Sequence, residues 1–226
     1  MMNKKKNILI ISLSFVPNAR VGSRRVGFLS KLFQKHYYNC HILTVKEKYY
    51  LQKDSSVPFG GTIHRTGIYP PFMLPVSRNT LFQRAFHRIW SDYFSLHDPY
   101  TGWILPSLAE GLKIIRKHDI EVIVVSVPPM SPMISALLLS RLTRTRLIID
   151  YRDPWTTNPL FHRKSIVKKK LSKFVEKLLV KQASDLVFCS EIMRDEFLDY
   201  FSQHTKARSY VITNGFSIRD NVSPLY

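Results

Sequence analysis

Short runs of branched and apolar residues recur along this chain. Each ends in a polar turn, and most are followed by a segment whose apolar positions have helical spacing. That alternation constrains the fold more than any other feature. A strand covered on both faces reads as a continuous apolar run, and parallel strands need a crossover, usually a helix, to join them. Ile8 to Ser14 is the first such run. A helix is expected from Gly22 to about His36, with Val26, Leu29, Leu32 and Phe33 on one face. Cys40 to Val45 is the second strand and completes a strand–helix–strand unit.

Residues 46–104 read as an embellishment on this frame. Its glycines and prolines mark irregular chain as far as Pro75, with a short strand at Thr62 to Arg65 and an aromatic-rich helix at Asn79 to Phe94. The regular pattern then resumes. Leu105 to His118 is a helix, Glu121 to Val127 a strand, and Ser131-Pro132 the cap and first position of a helix to about Leu142. Arg146 to Tyr151 is a strand, Ser165 to Gln182 a long basic helix, and Asp185 to Cys189 a strand. Ser190 caps a helix to about Phe201, and Tyr210 to Thr213 is the last strand before the Asn214-Gly215 turn. The expected fold is α/β: a doubly wound, Rossmann-like parallel sheet with helices on both faces, filling residues 1–217 as one domain.

Such a sheet binds ligands beyond the carboxyl ends of its strands, where the strand order reverses. The loop at Gly22 is not a dinucleotide fingerprint, because no further glycine follows until Gly27. Free backbone N–H groups at that helix start favour an anion, and Arg20, Arg24 and Arg25 would reinforce it, or else form a solvated face. At the strand end Leu147 to Trp155, Asp153-Pro154 suits a helix cap and first turn. Asp150, Arg152 and Asp153 together carry more charge than a cap needs. A carboxylate there is a candidate proton acceptor for a substrate hydroxyl, a role that can coexist with capping.

Charge narrows the partners. The chain has 34 Lys+Arg against 16 Asp+Glu, a net +18, which favours nucleic acid, anionic lipid or phosphorylated ligands. No nucleic-acid readout motif accompanies it, so nucleic acid is not expected as a partner. Lys168, Lys169, Lys170 and Lys173 lie on the long basic helix. Its apolar stripe is either a core face alone, or a core face with the lysines resting on an anionic membrane. Tyr69, Phe72, Met73 and Leu74 would share that interface. Lys4-Lys5-Lys6 before Ile8 to Val16 imitates a signal peptide, but Pro17 closes a short run without a small-x-small site, so it reads as a buried first strand. Cys40 and Cys189 read as free thiols, and the eight histidines lack metal-binding spacings, so no metal site is expected.

Several motifs in order resemble the N-terminal domain of GT-B glycosyltransferases of family four, in their bacterial surface-polysaccharide branch. They are Phe15-Val16-Pro17 with Gly22, Arg25 and Lys31; Asp98-Pro99-Tyr100-Thr101-Gly102-Trp103; Ser126-Val127-Pro128-Pro129-Met130-Ser131; and Asp150-Tyr151-Arg152-Asp153-Pro154-Trp155. Ser184-Asp185 to Ser190 and Ile212 to Phe216 complete the set, which spans about residues 7–217. The resemblance implies half of a GT-B fold that binds an acceptor, often a lipid-linked sugar. A second domain would bind the nucleotide-sugar co-substrate, with no metal and no other cofactor. It places Gly22 and Arg25 on the donor-phosphate side and Arg152 and Asp153 on the acceptor side, where Asp150, Ser126 and Asp98 are further candidates, and Asp153 is the carboxylate expected to be catalytic. It implies a cytoplasmic enzyme held peripherally at the inner face of the cell membrane. Two departures stand out. Ala19-Arg20 replaces the branch's usual Gly-Gly, and no two glutamates stand eight apart as in its donor domain, so residues 218–226 are expected to begin an interdomain linker with the donor domain missing. A non-catalytic module binding anionic lipid or glycolipid is the alternative. A sugar-nucleotide epimerase of the same fold is disfavoured by the Asp-x-Arg-Asp-Pro-Trp run.

Overall fold

The computed structural model describes residues 5–69, 98, 100–158 and 166–215, with the backbone alone for Lys168. Among them, β1 (Lys6–Ile11) lies near the middle of a seven-stranded sheet. The chain steps outward on one side through α1 (Val21–Lys35), β2 (Tyr38–Val45) and β3 (Thr62–Thr66). It then returns past α2 (Ile104–His118) to lay β4 (Val122–Val127) against the other side of β1. From there α3 (Ser131–Thr143), β5 (Arg146–Tyr151), α4 (Ile166–Gln182), β6 (Asp185–Phe188), α5 (Glu191–Phe201) and β7 (Arg208–Val211) continue outward. The order is β3-β2-β1-β4-β5-β6-β7, and every neighbouring pair is parallel. The order therefore reverses between β1 and β4, and a crevice opens beyond their carboxyl ends.

The two faces of β1 show why its run is continuously apolar. Leu9 and Ile11 join a cluster with Ile114 and Ile115 of α2, Met133 and Leu139 of α3, Leu179 and Val180 of α4 and Phe197 and Phe201 of α5. Ile8 and Ile10 face the opposite way, into a cluster with Phe15, Val16 and Val26 of the first loop and α1. Both faces are dry, so no polar alternation is tolerated.

Several boundaries differ from the sequence reading, among them β1, which ends at Ile11 and not Ser14. No helix starts at Asp153: residues 152–158 form bends and a turn. β7 begins at Arg208 because its register against β6 pairs Asp185 with Arg208 and Phe188 with Val211. Ser190 caps α5 as expected, its Oγ accepting the Met193 N–H at 3.2 Å, but Ser131 does not cap α3 by itself. The helix expected at 79–94 lies outside the described residues, as do Phe72, Met73 and Leu74.

α4 departs most from expectation. Its inward positions include Ser172 and Glu176, both fully buried, beside Leu179 and Val180. Ile166, Val167, Leu171 and Phe174 are exposed instead, at 71%, 75%, 46% and 58%. The apolar stripe is thus only in part a core face.

Candidate functional site

Three charged groups at the carboxyl end of β5, Asp150, Arg152 and Asp153, meet Arg25 of α1 at one corner. Asp150, the fifth residue of β5, is 2% exposed. Arg25, one turn into α1, is 8% exposed and donates to it from Nε at 3.1 Å to each oxygen and from Nη2 at 2.7 Å to Oδ1. Ser126, directly opposite Asp150 in the β4–β5 register, donates its hydroxyl to Oδ2 at 2.8 Å. Burial alone would lower the affinity of Arg25 for its proton, but Asp150 outweighs it and the guanidinium is held more firmly charged. The other nitrogen of Arg25, Nη1, donates to the Ile212 carbonyl at 2.9 Å, to Asn214 Oδ1 at 3.1 Å and to the Thr213 carbonyl at 3.4 Å. Arg25 and Asp150 therefore tie α1, β4, β5 and the exit of β7 together, and Asp150 turns inward.

Arg152 occupies the next place outward. Its backbone N–H and its Nε reach the Val127 carbonyl at 2.9 and 3.2 Å, and Nη2 donates to the Pro128 carbonyl. Nη1 has no hydrogen-bond partner among the described residues. It lies against Gly22, where a β-carbon would fall 1.6 Å from it. Only glycine lets this guanidinium rest on the first turn of α1. Burial lowers the pKa of Arg152, opposed in part by Asp150 and Asp153. A desolvated cation beside the N–H groups of a helix start is a place where an arriving anion is favoured. Asp153, the next residue, is exposed at the mouth. In the same first turn of α1, the Ser23 hydroxyl is fully buried without a partner among the described residues.

Asp98 sits on the far side of the crevice and acts as a remote helix cap. Its carboxylate accepts the Met130 and Ser131 N–H groups at 2.7 and 2.8 Å, the Ser131 hydroxyl at 2.5 Å and the Tyr100 N–H at 2.8 Å. A negative charge at the start of α3 suits the helix dipole and satisfies donors that Ser131 cannot reach itself. Trp103 of the same motif is fully buried, its Nε1 donating to Thr66 Oγ1 at 2.6 Å. Beyond the ends of β1, β2 and β3, a cleft of about 320 Å³ opens between Leu13, Asn18, Arg20, Tyr49, Tyr50 and Tyr100.

Two features had no local signal in the sequence. Glu176 reaches from α4 to the segment after β5, accepting the Thr156 N–H at 3.1 Å, the Thr156 hydroxyl and the Tyr151 hydroxyl at 3.2 Å. Burial pushes its carboxyl up to about 7 against those three donors. The second is a histidine group that the sequence spacings do not show: His41, His64 and His118, on three separate elements, bring one ring nitrogen each to within 4.8 Å of the others. Along α4, Lys170 is exposed, Lys169 and Lys173 are half-buried, and Lys173 Nζ lies 4.8 Å from the Tyr200 ring centre. The side chain of Lys168 lies outside the described set.

The model of the glycosyl transferase 4-like domain matches residues 64–215, more than half of the sequence. The chain belongs to that family. No curated protein matches it at the level of sequence. Among solved structures, this glycosyl transferase 4-like domain is similar to HepE of Anabaena in complex with UDP, with 13% identity and a TM-score of 0.51 over 95% of this chain and 45% of that one. It is also similar to MnaA of S. aureus in its structure with UDP, with 12% identity and a TM-score of 0.50 over 93% of this chain and 44% of that one. Likeness at this identity speaks for the fold, the doubly wound sheet expected of one half of a GT-B protein. The domain spans less than half the length of both.

Proposed function

We propose that this glycosyl transferase 4-like chain supplies the acceptor-binding half of a hexosyltransferase. With a donor-binding domain, it moves sugar from a nucleotide-sugar to a lipid-linked or polysaccharide acceptor. The observation that carries this reading is Arg152, half-buried against Gly22 with Nη1 unengaged among the described residues and with Asp153 exposed beside it. Arg152 holds an anionic group of the acceptor. Asp153 takes the proton of the acceptor hydroxyl as its oxygen attacks the sugar carbon and the nucleoside diphosphate leaves. Gly22 and the start of α1 face the donor phosphates. Arg25 belongs to that side through its hold on the β7 exit. Asp150, Ser126 and Asp98 keep the acceptor wall in shape. The nucleotide-sugar is the co-substrate, and no cofactor is part of the scheme.

The test uses the complete enzyme, with the donor half in cis or in trans. Asp153→Asn should lower kcat by about a hundredfold or more while acceptor KM changes little, as expected for loss of a general base. Arg152→Gln should instead raise acceptor KM. Transfer by Asp153→Asn at the rate of the unaltered enzyme would sink the assignment.

A second reading is favoured by α4. Exposed Ile166, Val167, Leu171 and Phe174 share that helix with Lys169, Lys170 and Lys173, the pattern of a helix lying in a lipid interface. No helix among the described residues is long and apolar enough to cross a membrane. Each lysine near an anionic surface contributes about 1 kcal/mol. The chain should float with anionic vesicles and not with neutral ones, and Phe174→Glu with Lys170→Glu should abolish flotation. Unchanged flotation of that variant would remove α4 from the interface.

A further inference from the structure

We propose that His41, His64 and His118 form a binding site for one divalent transition-metal cation of the zinc, cobalt, nickel or copper class, with solvent completing the coordination. His41 lies on β2, His64 on the edge strand β3, and His118 is the last residue of α2. His41 and His64 share a sheet face because Leu43, two residues beyond His41, is the register partner of His64. α2 crosses that face and brings His118 onto it, with ring centres 4.1 Å from His41 and 6.2 Å from His64.

The donor spacing fits such a cation. In a tetrahedral site with metal–nitrogen bonds of about 2.0–2.1 Å, neighbouring nitrogens stand about 3.4 Å apart. His41 Nδ1 and His64 Nε2 are already 3.2 Å apart, and all three donors lie within 4.8 Å of one another. His118 therefore has at most about 1.4 Å to close, at a helix end where its side chain is only half-buried. The donor set is three imidazole nitrogens and no carboxylate, which selects borderline metals over magnesium or calcium.

The surroundings also suit a cation. His41 Nδ1 and His64 Nε2 already face each other within hydrogen-bonding distance, so at least one of the two holds a lone pair directed into the cluster. The proton now shared between them moves to the far nitrogen of its ring when a metal binds, so the pair need lose no proton. The C-terminal end of α2 presents the negative pole of its dipole, and the charge of Glu110 on the same helix also favours a cation at His64. Lys117, beside them, opposes this. Half-exposed His64 and His118 leave an entry path and an open position for water. The cluster is also separate from the crevice, since the His118 carbonyl accepts from Asn7 Nδ2 at 2.5 Å at the amino end of β1. A bound metal would clasp the edge strand to α2.

The chain, prepared without a polyhistidine tag and stripped with chelator, is titrated with Co²⁺ and then Zn²⁺. The expected result is one equivalent bound, with the visible d–d bands of tetrahedral cobalt, displaced by zinc, and a raised thermal midpoint. His64→Ala and His118→Ala, at half-exposed positions, should each weaken binding at least tenfold with an unchanged circular dichroism spectrum. His204→Ala should bind like the unaltered chain. Absence of the one-equivalent phase, or its persistence in both His64→Ala and His118→Ala, would overturn the site.

Discussion

Replacing Glu176 by glutamine should stabilise the protein at mildly alkaline pH and do little in acid. The carboxyl is fully buried between α4 and the segment after β5, and burial raises it from 4.5 to about 7 against the Thr156 and Tyr151 donors. Tyr151, itself fully buried, is pushed well above its ordinary value, first by burial and then by Glu176. The folded state therefore holds the Glu176 proton more tightly than the unfolded state. Between 4.5 and about 7 the folded chain binds more protons, and stability falls as pH rises, by about 1.4 kcal/mol per unit. The whole window amounts to about 3 kcal/mol. Glutamine escapes this cost. Its amide oxygen can take the two Thr156 donors while its NH₂ meets the Tyr151 oxygen, whose hydroxyl turns to accept. Urea unfolding at two pH values is the assay. Glu176→Gln should exceed the unaltered chain by about 3 kcal/mol at pH 8 and by under about 1 kcal/mol at pH 5. For a chain of this size, the first figure corresponds to a midpoint rise of about 6–12 °C. A gap equal at both pH values, or a variant less stable at pH 8, would refute the reasoning.

Arg25→Ala leaves Asp150 buried without its cation and should cost about 3–5 kcal/mol in chemical unfolding, with part recovered when Asp150→Ala is added. Full additivity of the two changes would contradict the coupling read from their contacts. Gly22→Ala would normally favour a helix by about 1 kcal/mol. Here the new methyl group displaces the flexible end of Arg152, so the helix gain should be reduced rather than realised in full, and acceptor KM of the complete enzyme should rise.

The sheet was legible because its strands are dry on both faces: Ile8 to Ile11 and Ile123 to Val125 leave no other reading. Their alternation with helices implied a parallel sheet with its crevice beyond the strands' carboxyl ends, while the strand order itself came from the structure. Which charged residues face that crevice was much less legible. Asp150 and Arg152 are two positions apart on one strand end, yet one is sealed against Arg25 and the other lies on Gly22. That difference depends on a helix more than a hundred residues earlier. Asp98, placed on the acceptor side by resemblance, caps a helix that begins 33 residues downstream, a role its sequence position did not show. The basic helix misled for a related reason. Its apolar residues suggested a core face, but Glu176 and Ser172 take inward places because Thr156 and Tyr151 supply partners for Glu176. Spacing rules could not reveal His41, His64 and His118, which lie on three elements.

The reach of Arg25 to Ile212, 187 residues away, bears on how the chain matures. Contacts of such separation close late, because the loop entropy is spent before they form. During synthesis, α1 and the early strands emerge first, with the Arg25 guanidinium still in water. Asp150 gives it one partner, but its remaining N–H groups stay unmatched until the chain beyond β7 arrives. The corner under the crevice is therefore among the last parts to set. A chain stalled or clipped before Ile212 would carry a nearly finished sheet with an unlatched first helix, a form that proteases and chaperones would distinguish from the finished one.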